Sequence, residues 1–359
     1  MIMKSELCKD KSKKICVCGA GHQGIAMAGY LALNGERVVL WNRSKEHIKK
    51  IAEDHKIYCH GIVKGTALIE TASDEIKDVV SKFIMVTVPS NAHADVAQKL
   101  APYVDKDSII ILNPGRTFGA IDFAANLKKY GVKKMPHIAE TQTIVYTCRK
   151  SSENSATIFA MKEKVAIASL QKNDIEWILS QMPACLKSYF ISESSVVTTS
   201  LSNVGMILHC VPVLMNVGWI ENEKVNFKYY YDGISKSVAH VLEKMDCERI
   251  KVARQIGCRV ESTEEWLKRI YKLEGTGIYE CIRNNSAYRE IDAPPDLEHT
   301  RYILEDVPEG LVPVEYVGKQ LQVDVSTISL VIDLANVVYD TDFRKLGRQI
   351  SVEELKKYL

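Results

Sequence analysis

The stretch from residue 14 to residue 44 constrains the fold of this chain more than any other part of the sequence. It begins with the short, continuously apolar segment 15–18, which is typical of a buried parallel strand. The glycine-rich sequence GAGHQG follows at 19–24, then an alanine-rich run at helical spacing and a second apolar segment at 37–40. A strand, a glycine turn, a helix and a second strand in this order predict a βαβ unit that binds a dinucleotide.

Five residues of this turn are expected to contact the cofactor. Gly19 permits the tight turn, Gly21 lets backbone N–H groups approach a pyrophosphate, and Gly24 lets the helix pack closely against the strand. His22 and Gln23 lie between these glycines at the start of the helix. A glycine-rich turn in another kind of α/β domain is the alternative interpretation.

The end of the second strand bears on the choice between NAD and NADP. An NAD site usually has an Asp or Glu there to bind the ribose hydroxyls, whereas this chain has Asn42, Arg43 and Ser44. These residues do not repel a 2′-phosphate, and Arg43 offers it a guanidinium group. We therefore expect NADP in preference to NAD, the alternative being that Arg43 is a solvated charge and that NAD binds without an acidic partner.

Two further strands are predicted to end in turns that face the cofactor. Segments 83–88 and 108–112 are apolar, and each is followed by proline, glycine and small polar residues. Ligands bind open α/β sheets at the carboxyl ends of the strands. The residues expected to contact the cofactor from these turns are Pro89, Ser90, Pro114, Gly115 and Arg116.

Length and charge narrow the class of protein. The 359 residues suffice for two domains, and a net charge of +2 does not indicate nucleic acid or an anionic membrane as a partner. No uninterrupted apolar stretch reaches the roughly 18 residues that span a bilayer. Residues 1–13 are polar and lysine-rich, without the apolar core of a secretory signal, and predict a flexible arm. We expect a cytoplasmic protein. Whether it forms a homodimer is left open.

The ten cysteines are scattered along the chain, without a pair of CxxC motifs. Cys16 and Cys18 fall inside the first predicted strand. This pattern favours reduced, mostly buried thiols, so neither a bound metal nor a disulfide framework is expected.

The pattern of the chain changes near Glu193. Residues 1–192 predict a Rossmann-type, doubly wound α/β domain, although the strands within 56–71 and 134–170 stay unplaced. Residues 193–359 predict an all-helical domain. Its predicted helices span 197–219, 233–256, 263–273, 311–321 and 326–339; in the first domain, helices are predicted at 44–54, 74–81 and 174–181 and a last strand at 186–190.

Two clusters in the helical half carry candidate chemistry. Asn203 and His209 lie six positions apart, which places them on neighbouring faces of one predicted helix that breaks or kinks at Pro212. Arg301 and Asp306 follow a proline-rich loop. Taken alone, the histidine favours a structural role, and the Arg–Asp pair favours a solvated ion pair.

The chain beyond residue 13 resembles the opine dehydrogenase family, the octopine and nopaline dehydrogenases. Matching blocks occur in the same order along the sequence. They are GAGHQG at 19–24, NPGRT at 113–117, AETQT at 139–143 with Arg149, NVGMILH at 203–209, DCER at 246–249, Tyr288-Arg289 with Ala293-Pro294, Arg301-Tyr302 with EDVP at 305–308, and Gly347-Arg348.

The resemblance implies a Rossmann-type domain, a helical domain and an active site between them. Such enzymes condense the amine of an amino acid with a 2-oxo acid, usually pyruvate, and reduce the imine with NAD(P)H. It implies His209 as the catalytic acid/base and Asp306 as its partner. Arg301 would handle a carboxylate or belong to the network around this pair, and Asn203 would hydrogen-bond the substrate. Cys210 stands where relatives commonly have proline, and many relatives use NADH.

Two other functions compete with this interpretation. A glycerol-phosphate or ketopantoate type of reductase would act on a ketone with a catalytic lysine, but residues 197–217 contain none. An NADP-binding sensor without turnover would be expected to lack the acid/base group, whereas His209, Arg301 and Asp306 are all present.

Overall fold

A computed structural model describes residues 14–222 and 224–359 of the chain. The predicted N-terminal arm, residues 1–13, lies outside the described residues. The strands, in chain order, are β1 Lys14–Cys18, β2 Arg37–Trp41, β3 Lys56–Gly61, β4 Gly65–Leu68, β5 Thr71–Ser73, β6 Phe83–Val86, β7 Ile109–Leu112, β8 His137–Thr141, β9 Tyr146–Ser152, β10 Ser155–Met161, β11 Val165–Ser169 and β12 Phe190–Ser192.

The N-terminal half is built on an eight-stranded sheet in the order β12-β11-β8-β7-β6-β1-β2-β5. Neighbouring strands in this sheet are parallel, except that β11 is antiparallel to β8. The central strands β1, β6 and β7 are almost wholly buried, as expected for strands covered on both faces. Their carboxyl ends meet at one edge, and the glycine turn follows β1 there.

A second sheet of four strands has the order β4-β3-β10-β9. It consists of the segments that the sequence pattern left unplaced. It packs against the helix that follows the glycine turn. This helix, α1 His22–Leu33, therefore lies between the second sheet and strands β1 and β2 of the main sheet.

The helices of the N-terminal half are α1 His22–Leu33, α2 Lys49–Asp54, α3 His93–Leu100, α4 Gly119–Lys129, α5 Ile175–Gln181 and α6 Ala184–Lys187. Those of the C-terminal half are α7 Val196–Leu201, α8 Gly205–Leu214, α9 Val217–Ile220, α10 Lys236–Ile256, α11 Thr263–Tyr271, α12 Gly277–Asn284, α13 Arg301–Leu304, α14 Val312–Gln320, α15 Ser326–Tyr339, α16 Phe343–Leu346 and α17 Val352–Lys356. A π-helical turn, Val307–Leu311, leads directly into α14.

Local signals explain the bounds of the longest helix. The Ser235 side chain caps α10 by accepting the Val238 N–H, and Gly257 ends the helix with a φ of 103°. At the next helix, Ser262 and Glu265 form a capping box. Within α10, the buried Arg249 donates to Asp246 and to the Leu201 carbonyl, and so ties α10 to α7.

The structure confirms the predicted fold class, a Rossmann-type α/β half followed by a helical half, and it confirms the helix at 326–339. The continuous helix predicted at 197–219 is wrong, because α7, α8 and α9 occupy that range. The chain leaves the helical path after Leu201, where Asn203 Oδ1 accepts the Gly205 N–H at 3.1 Å in competition with the helix backbone. Pro212 does not end its helix; it lies inside α8.

Two smaller predictions in the N-terminal half are also wrong. The segment 74–81 contains only a short 3₁₀ turn, Ile76–Asp78, because Ser73 Oγ accepts the Glu75 N–H and donates to Asp78 to form a local turn. The strand predicted at 186–190 begins later, at β12. The preceding residues form α6 after Pro183, whose carbonyl accepts the N–H groups of Leu186 and Lys187.

The described residues contain one helical segment, 196–214, that is long and apolar enough to cross a membrane by length and composition. Polar residues such as Thr198, Ser200 and Asn203 interrupt it, so it is not an uninterrupted apolar stretch. The segment is 83% buried inside the protein, where α7 and α8 form part of the core. Such burial is typical of a core helix.

Candidate active site

A cleft of about 800 Å³ lies between the two halves of the molecule. On one side it is lined by the glycine turn and by the turns after β6 and β7, including Pro89 and Pro114. On the other side it is lined by residues of the helical half, including His209 and Arg301. The predicted cofactor turns and the predicted catalytic residues therefore face the same cavity.

The glycine turn has the geometry that a dinucleotide pyrophosphate requires. Gly19 has a φ of 117°, and a Cβ atom on Gly24 would lie 1.7 Å from the Gly19 carbonyl oxygen. Apart from its neighbours in the chain, no described residue has an atom within 4 Å of the position that a Cβ on Gly21 would take, and no described side chain caps the first turn of α1. The backbone N–H groups at the start of α1 are therefore free to bind an anion.

Strand β9 supports this turn from the second sheet. His22 Nδ1 accepts the Lys150 N–H at 2.7 Å, and Lys150 Nζ donates to the Ala20 carbonyl at 3.3 Å. Burial, together with the charges of Arg149 and Arg301, lowers the pKa of His22 to about 4. His22 is therefore neutral at physiological pH, and Nδ1 is a hydrogen-bond acceptor.

Two residues at the end of β2 have different roles: Asn42 supports the glycine turn, and Arg43 is an exposed charge. Asn42 Oδ1 accepts the Ala20 N–H at 3.0 Å, and Asn42 Nδ2 donates to the Ser44 carbonyl at 3.0 Å, so Asn42 joins the glycine turn to the strand end. The Arg43 side chain is 72% exposed, and its Nη1 lies 3.9 Å from Asp95 Oδ2. Arg43 is thus held only loosely by the protein.

Two residues that we expected beside the cofactor are engaged elsewhere. Ser90 donates to Glu305 Oε1 through its N–H at 3.0 Å and its hydroxyl at 3.1 Å. Gly115 packs so closely on Glu140 that a Cβ would lie 2.3 Å from Glu140 Oε2. Its carbonyl accepts from Arg348 at 3.3 Å. Both residues connect the cofactor turns to buried charges.

His209 and Asp306 form a buried pair at the floor of the cleft. His209 Nδ1 lies 2.7 Å from Asp306 Oδ2, and the Asp306 side chain is fully buried. Because an ionised carboxylate only accepts hydrogen bonds, Nδ1 carries the proton and Nε2 is the nitrogen available to the cleft. The imidazole also stacks on Tyr302, with ring centroids 4.2 Å apart. The pair is therefore fixed in both tautomer and orientation.

The charges around His209 act on its pKa in opposite directions. Burial lowers the pKa of the imidazole, the charge and hydrogen bond of Asp306 raise it, and Arg116 and Arg301 add to the lowering. The balance lies below the ordinary value. Anything negative that binds beside the two arginines will therefore raise the pKa of His209 and favour its protonated form.

Arg116 is the centre of a second buried network. Its Nε lies 3.2 Å from Glu305 Oε1, and its Nη1 lies 3.4 Å from Asp306 Oδ1 and 3.5 Å from Asn203 Oδ1. Burial alone would raise the pKa of Glu305, but the charges of Arg116 and Arg301 and the Ser90 N–H hold it well below its ordinary value. Glu305 is therefore ionised, and it anchors the guanidinium.

The remaining two predicted site residues differ in their access to the cleft. Asn203 is 2% exposed, and its Nδ2 donates to Thr117 Oγ1 at 3.3 Å. The Arg301 side chain is 40% exposed, and its Nη1 lies 3.8 Å from Glu305 Oε2. Arg301 thus presents a partly neutralised charge to the cavity, while the Asn203 amide is built into the network around Arg116.

Sequence reasoning gave no role to three residues that shape this site. Glu305 was part of a matching block, directly before Asp306, and that position was the available signal. Tyr302 likewise follows Arg301. Lys162 lines the cleft beside the second sheet, but no sequence pattern marked it, because its burial depends on the pairing of β9 with β10 and on the helical half.

Comparisons with known proteins agree with this architecture. A family profile described as "NAD/NADP octopine/nopaline dehydrogenase, alpha-helical domain" matches residues 192–339, and one described as "NAD-dependent glycerol-3-phosphate dehydrogenase N-terminus" matches residues 14–115. An opine dehydrogenase of Arthrobacter sp. (strain 1C) is 37% identical over 343 residues, which cover 95% of this chain and 94% of that protein. The chain belongs to the opine dehydrogenase family. It is an NAD(P)-dependent oxidoreductase of that type.

Similarity to more distant proteins also extends over nearly the whole chain. Protein ocs of Agrobacterium vitis is 22% identical over 354 residues, 94% of each chain. An octopine dehydrogenase structure with NADH and agmatine has a TM-score of 0.77 at 15% identity and covers 97% of this chain and 98% of its own. A yersinopine dehydrogenase structure with NADP+ has a TM-score of 0.74 at 14% identity over 95% of this chain and 94% of its own. The first of these structures contains NADH and the second contains NADP+.

Proposed function

We propose that this protein is an NADPH-dependent opine dehydrogenase that condenses an amino acid with a 2-oxo acid, with pyruvate as the expected oxo acid, and reduces the imine. The observation that carries this proposal is the His209–Asp306 pair, which opens onto the same cleft as the glycine turn. When bound, the nicotinamide cofactor supplies the hydride. The product is a secondary amine with two carboxylates, and water is released when the imine forms.

His209 supplies or removes the proton in this scheme. Its Nε2 is the ring nitrogen available to the cleft, and a histidine is suited to proton transfer near neutral pH. Asp306 holds the tautomer and stabilises the protonated imidazole. Binding of carboxylates near Arg116 and Arg301 offsets the two charges that lower the pKa of His209, so substrate binding itself favours the protonated acid.

Arg116 and Asn203 act as positioning residues in this proposal. Arg116 lies between Glu305 and Asp306, and its guanidinium helps to hold the Asp306 carboxylate in place. Asn203 fixes the break between α7 and α8, and α8 carries His209. Arg301, on the cleft side of Glu305, is the member of this group that handles a substrate carboxylate.

The preference for NADPH is also part of the proposal. The side-chain amide of Asn42 joins the glycine turn to β2. Arg43 extends from the strand end as a loosely held, exposed cation. A 2′-phosphate would give Arg43 a stronger partner than Asp95, which lies 3.9 Å away.

The experiment is an NADPH oxidation screen of 2-oxo acids, each with and without amino acids, followed by mass spectrometry. Oxidation should require both substrates, and the product mass should equal the sum of the two minus water plus two hydrogens. Rapid oxidation with the oxo acid alone, yielding a 2-hydroxy acid, would contradict the proposal and favour a ketone reductase.

A further inference from the structure

A single side chain from the C-terminal segment holds the turns that follow β6 and β7. Arg348 comes after α16, and its side chain is only 4% exposed. Its Nη1 donates to the carbonyls of Gly115 at 3.3 Å and Thr117 at 2.9 Å, both in the turn after β7. Its Nη2 donates to the Ser90 carbonyl at 3.4 Å, in the turn after β6. One guanidinium group from the helical half therefore contacts both turns.

The same guanidinium also pairs with the segment that follows Asp306. Arg348 Nε lies 2.6 Å from Glu309 Oε2, and Glu309 belongs to the π-helical turn that begins directly after Asp306. A second carboxylate, that of Asp122, lies 3.5 Å from the same nitrogen. Arg348 therefore connects the turns after β6 and β7 with the π-helical turn.

Backbone contacts strengthen this connection. The Arg348 N–H donates to the Pro308 carbonyl at 3.2 Å. The Thr117 N–H donates to the Glu309 carbonyl, also at 3.2 Å. A Cβ atom on Gly347 would lie only 2.7 Å from the Pro308 carbonyl oxygen, so a larger residue there would push the segment away from the π-helical turn.

The shape of an arginine side chain suits this position. A guanidinium is planar and its N–H groups point in fixed directions, so the acceptors around it are held at fixed relative positions. Here the acceptors are carbonyls of two separate turns, and a carboxylate of a third segment lies beside them. A lysine would carry the same charge at the end of a flexible chain, but it could not hold three segments in register.

The relative position of these segments matters for the proposed reaction. Hydride transfer requires that the reacting atoms lie about 3 to 3.5 Å apart, and a displacement of about 1 Å can lower the rate about 100-fold. The turns after β6 and β7 lie on one side of the cleft, and His209, oriented by Asp306, lies on the other. A residue that sets the separation of the two sides therefore acts on hydride transfer and on proton transfer together.

We propose that Arg348 is a positioning residue that keeps the turns after β6 and β7 in register with the His209–Asp306 pair. Among the residues that the structure describes, those lining the cleft do not include Arg348, so it acts through the segments that it holds. This inference rests on the proposed function, because it takes His209 as the acid/base group. It goes beyond that function by giving a role to a residue outside the cleft.

Four variants test this role. R348M removes the guanidinium, and R348K keeps a positive charge without the planar fork. G347A keeps Arg348 but adds the Cβ atom that displaces the segment from the π-helical turn. R344M is the matched control, because Arg344 lies in the same segment and pairs with Glu315 and Asp333, which both belong to the helical half.

The first measurement compares kcat with cofactor affinity. In R348M, the kcat of reduction should fall about 10- to 100-fold, because the two sides of the cleft are no longer held in register. The dissociation constant for NADPH, measured by fluorescence, should stay within about threefold, because the N–H groups of the glycine turn are unchanged. R348K should remain at least about fivefold below the wild type in kcat, since charge alone does not hold the turns. R344M should lose stability and keep the wild-type kcat.

The pH profile of kcat separates positioning from a general loss of stability. If Asp306 is held less firmly, it raises the pKa of His209 less, so the pH above which kcat falls should move to a lower value in R348M and G347A. Titration of Glu309 would have the opposite effect. Burial raises the pKa of Glu309 to about 7 and Arg348 lowers it, so loss of Arg348 would move that pKa upward. R344M should leave the profile unchanged.

Thermal unfolding shows whether each variant is folded, and R348K and G347A carry the test if R348M is not. Wild-type kcat in R348K and G347A, or a lowered kcat with the wild-type pH profile, would overturn the proposal. If the wild type reduces the oxo acid to an alcohol and forms no secondary amine, the proposed function fails. The same comparison of variants on the alcohol-forming reaction then still tests Arg348.

Discussion

His209 and Asp306 are 97 positions apart in the sequence, yet His209 Nδ1 lies 2.7 Å from Asp306 Oδ2. The histidine belongs to α8, and the aspartate follows α13, which packs on α8. The contact fixes which imidazole nitrogen faces the cleft. It also links the acid/base group to Arg116, because Arg116 lies 3.4 Å from the other carboxylate oxygen of Asp306.

Replacing His209 with alanine should lower kcat by about two to four orders of magnitude, because general acid catalysis is lost. NADPH affinity should stay within about twofold, since the glycine turn lies in the other half of the molecule. Steady-state kinetics and a fluorescence titration with NADPH measure the two effects. A fully active H209A enzyme would return His209 to a structural role.

Replacing Asp306 with asparagine should lower the reductive kcat by about one to three orders of magnitude. The charge of Asp306 raises the pKa of His209, so removing that charge lowers the pKa further. The reduction needs protonated His209, and the pH above which kcat falls should therefore shift to a lower value in D306N. A pH profile of kcat measures the shift; an unchanged profile would show that Asp306 does not act through His209.

Replacing Arg43 with alanine should weaken NADPH binding by about 1.5 to 3 kcal/mol and leave NADH binding nearly unchanged. The physical reason is the loss of a charge-assisted contact to the 2′-phosphate. Dissociation constants for both cofactors measure the difference, with R254A as a control for the loss of an exposed arginine. Equal weakening of both cofactors would contradict the phosphate role.

The buried Glu140 should make stability depend on pH in an unusual direction. It accepts hydrogen bonds from the Ala120 N–H and the hydroxyls of Thr199 and Ser200, but burial raises its pKa from 4.5 to about 6. The folded state therefore holds the proton more tightly than the unfolded state. Its contribution to the free energy of unfolding is fully present below pH 4.5 and is lost as the pH rises through 6.

Urea unfolding of the wild type and E140Q at pH 4.5 and pH 7 measures this contribution. The wild type should lose about 2 kcal/mol relative to E140Q between the two values, the equivalent of a shift of roughly 1.5 pKa units. Comparing the change with pH removes any constant offset that the substitution causes. Parallel behaviour of the two proteins would show that Glu140 titrates normally.

Local patterns were sufficient for much of the fold. The apolar segment before Gly19, the glycine turn and the helical spacing after it predicted the βαβ unit, because strand, turn and helix there each depend on neighbouring residues. The helix at 326–339 was predicted for the same reason. The segment around Asn203 was not, because one side-chain hydrogen bond to Gly205 decides where the helix breaks.

The chemistry of the site divides in the same way. The sequence by itself determined which candidate residues are present: a dinucleotide-binding turn, a histidine in an apolar helix, and a later arginine and aspartate. Their order along the chain is the order found in the opine dehydrogenase family. Only the tertiary structure decided that Glu305 anchors Arg116, that Ser90 bonds Glu305, and that Lys162 is buried in the cleft. The reason is that burial and pairing of charges depend on contacts between segments far apart in the chain, whereas sequence patterns report the preferences of neighbouring residues.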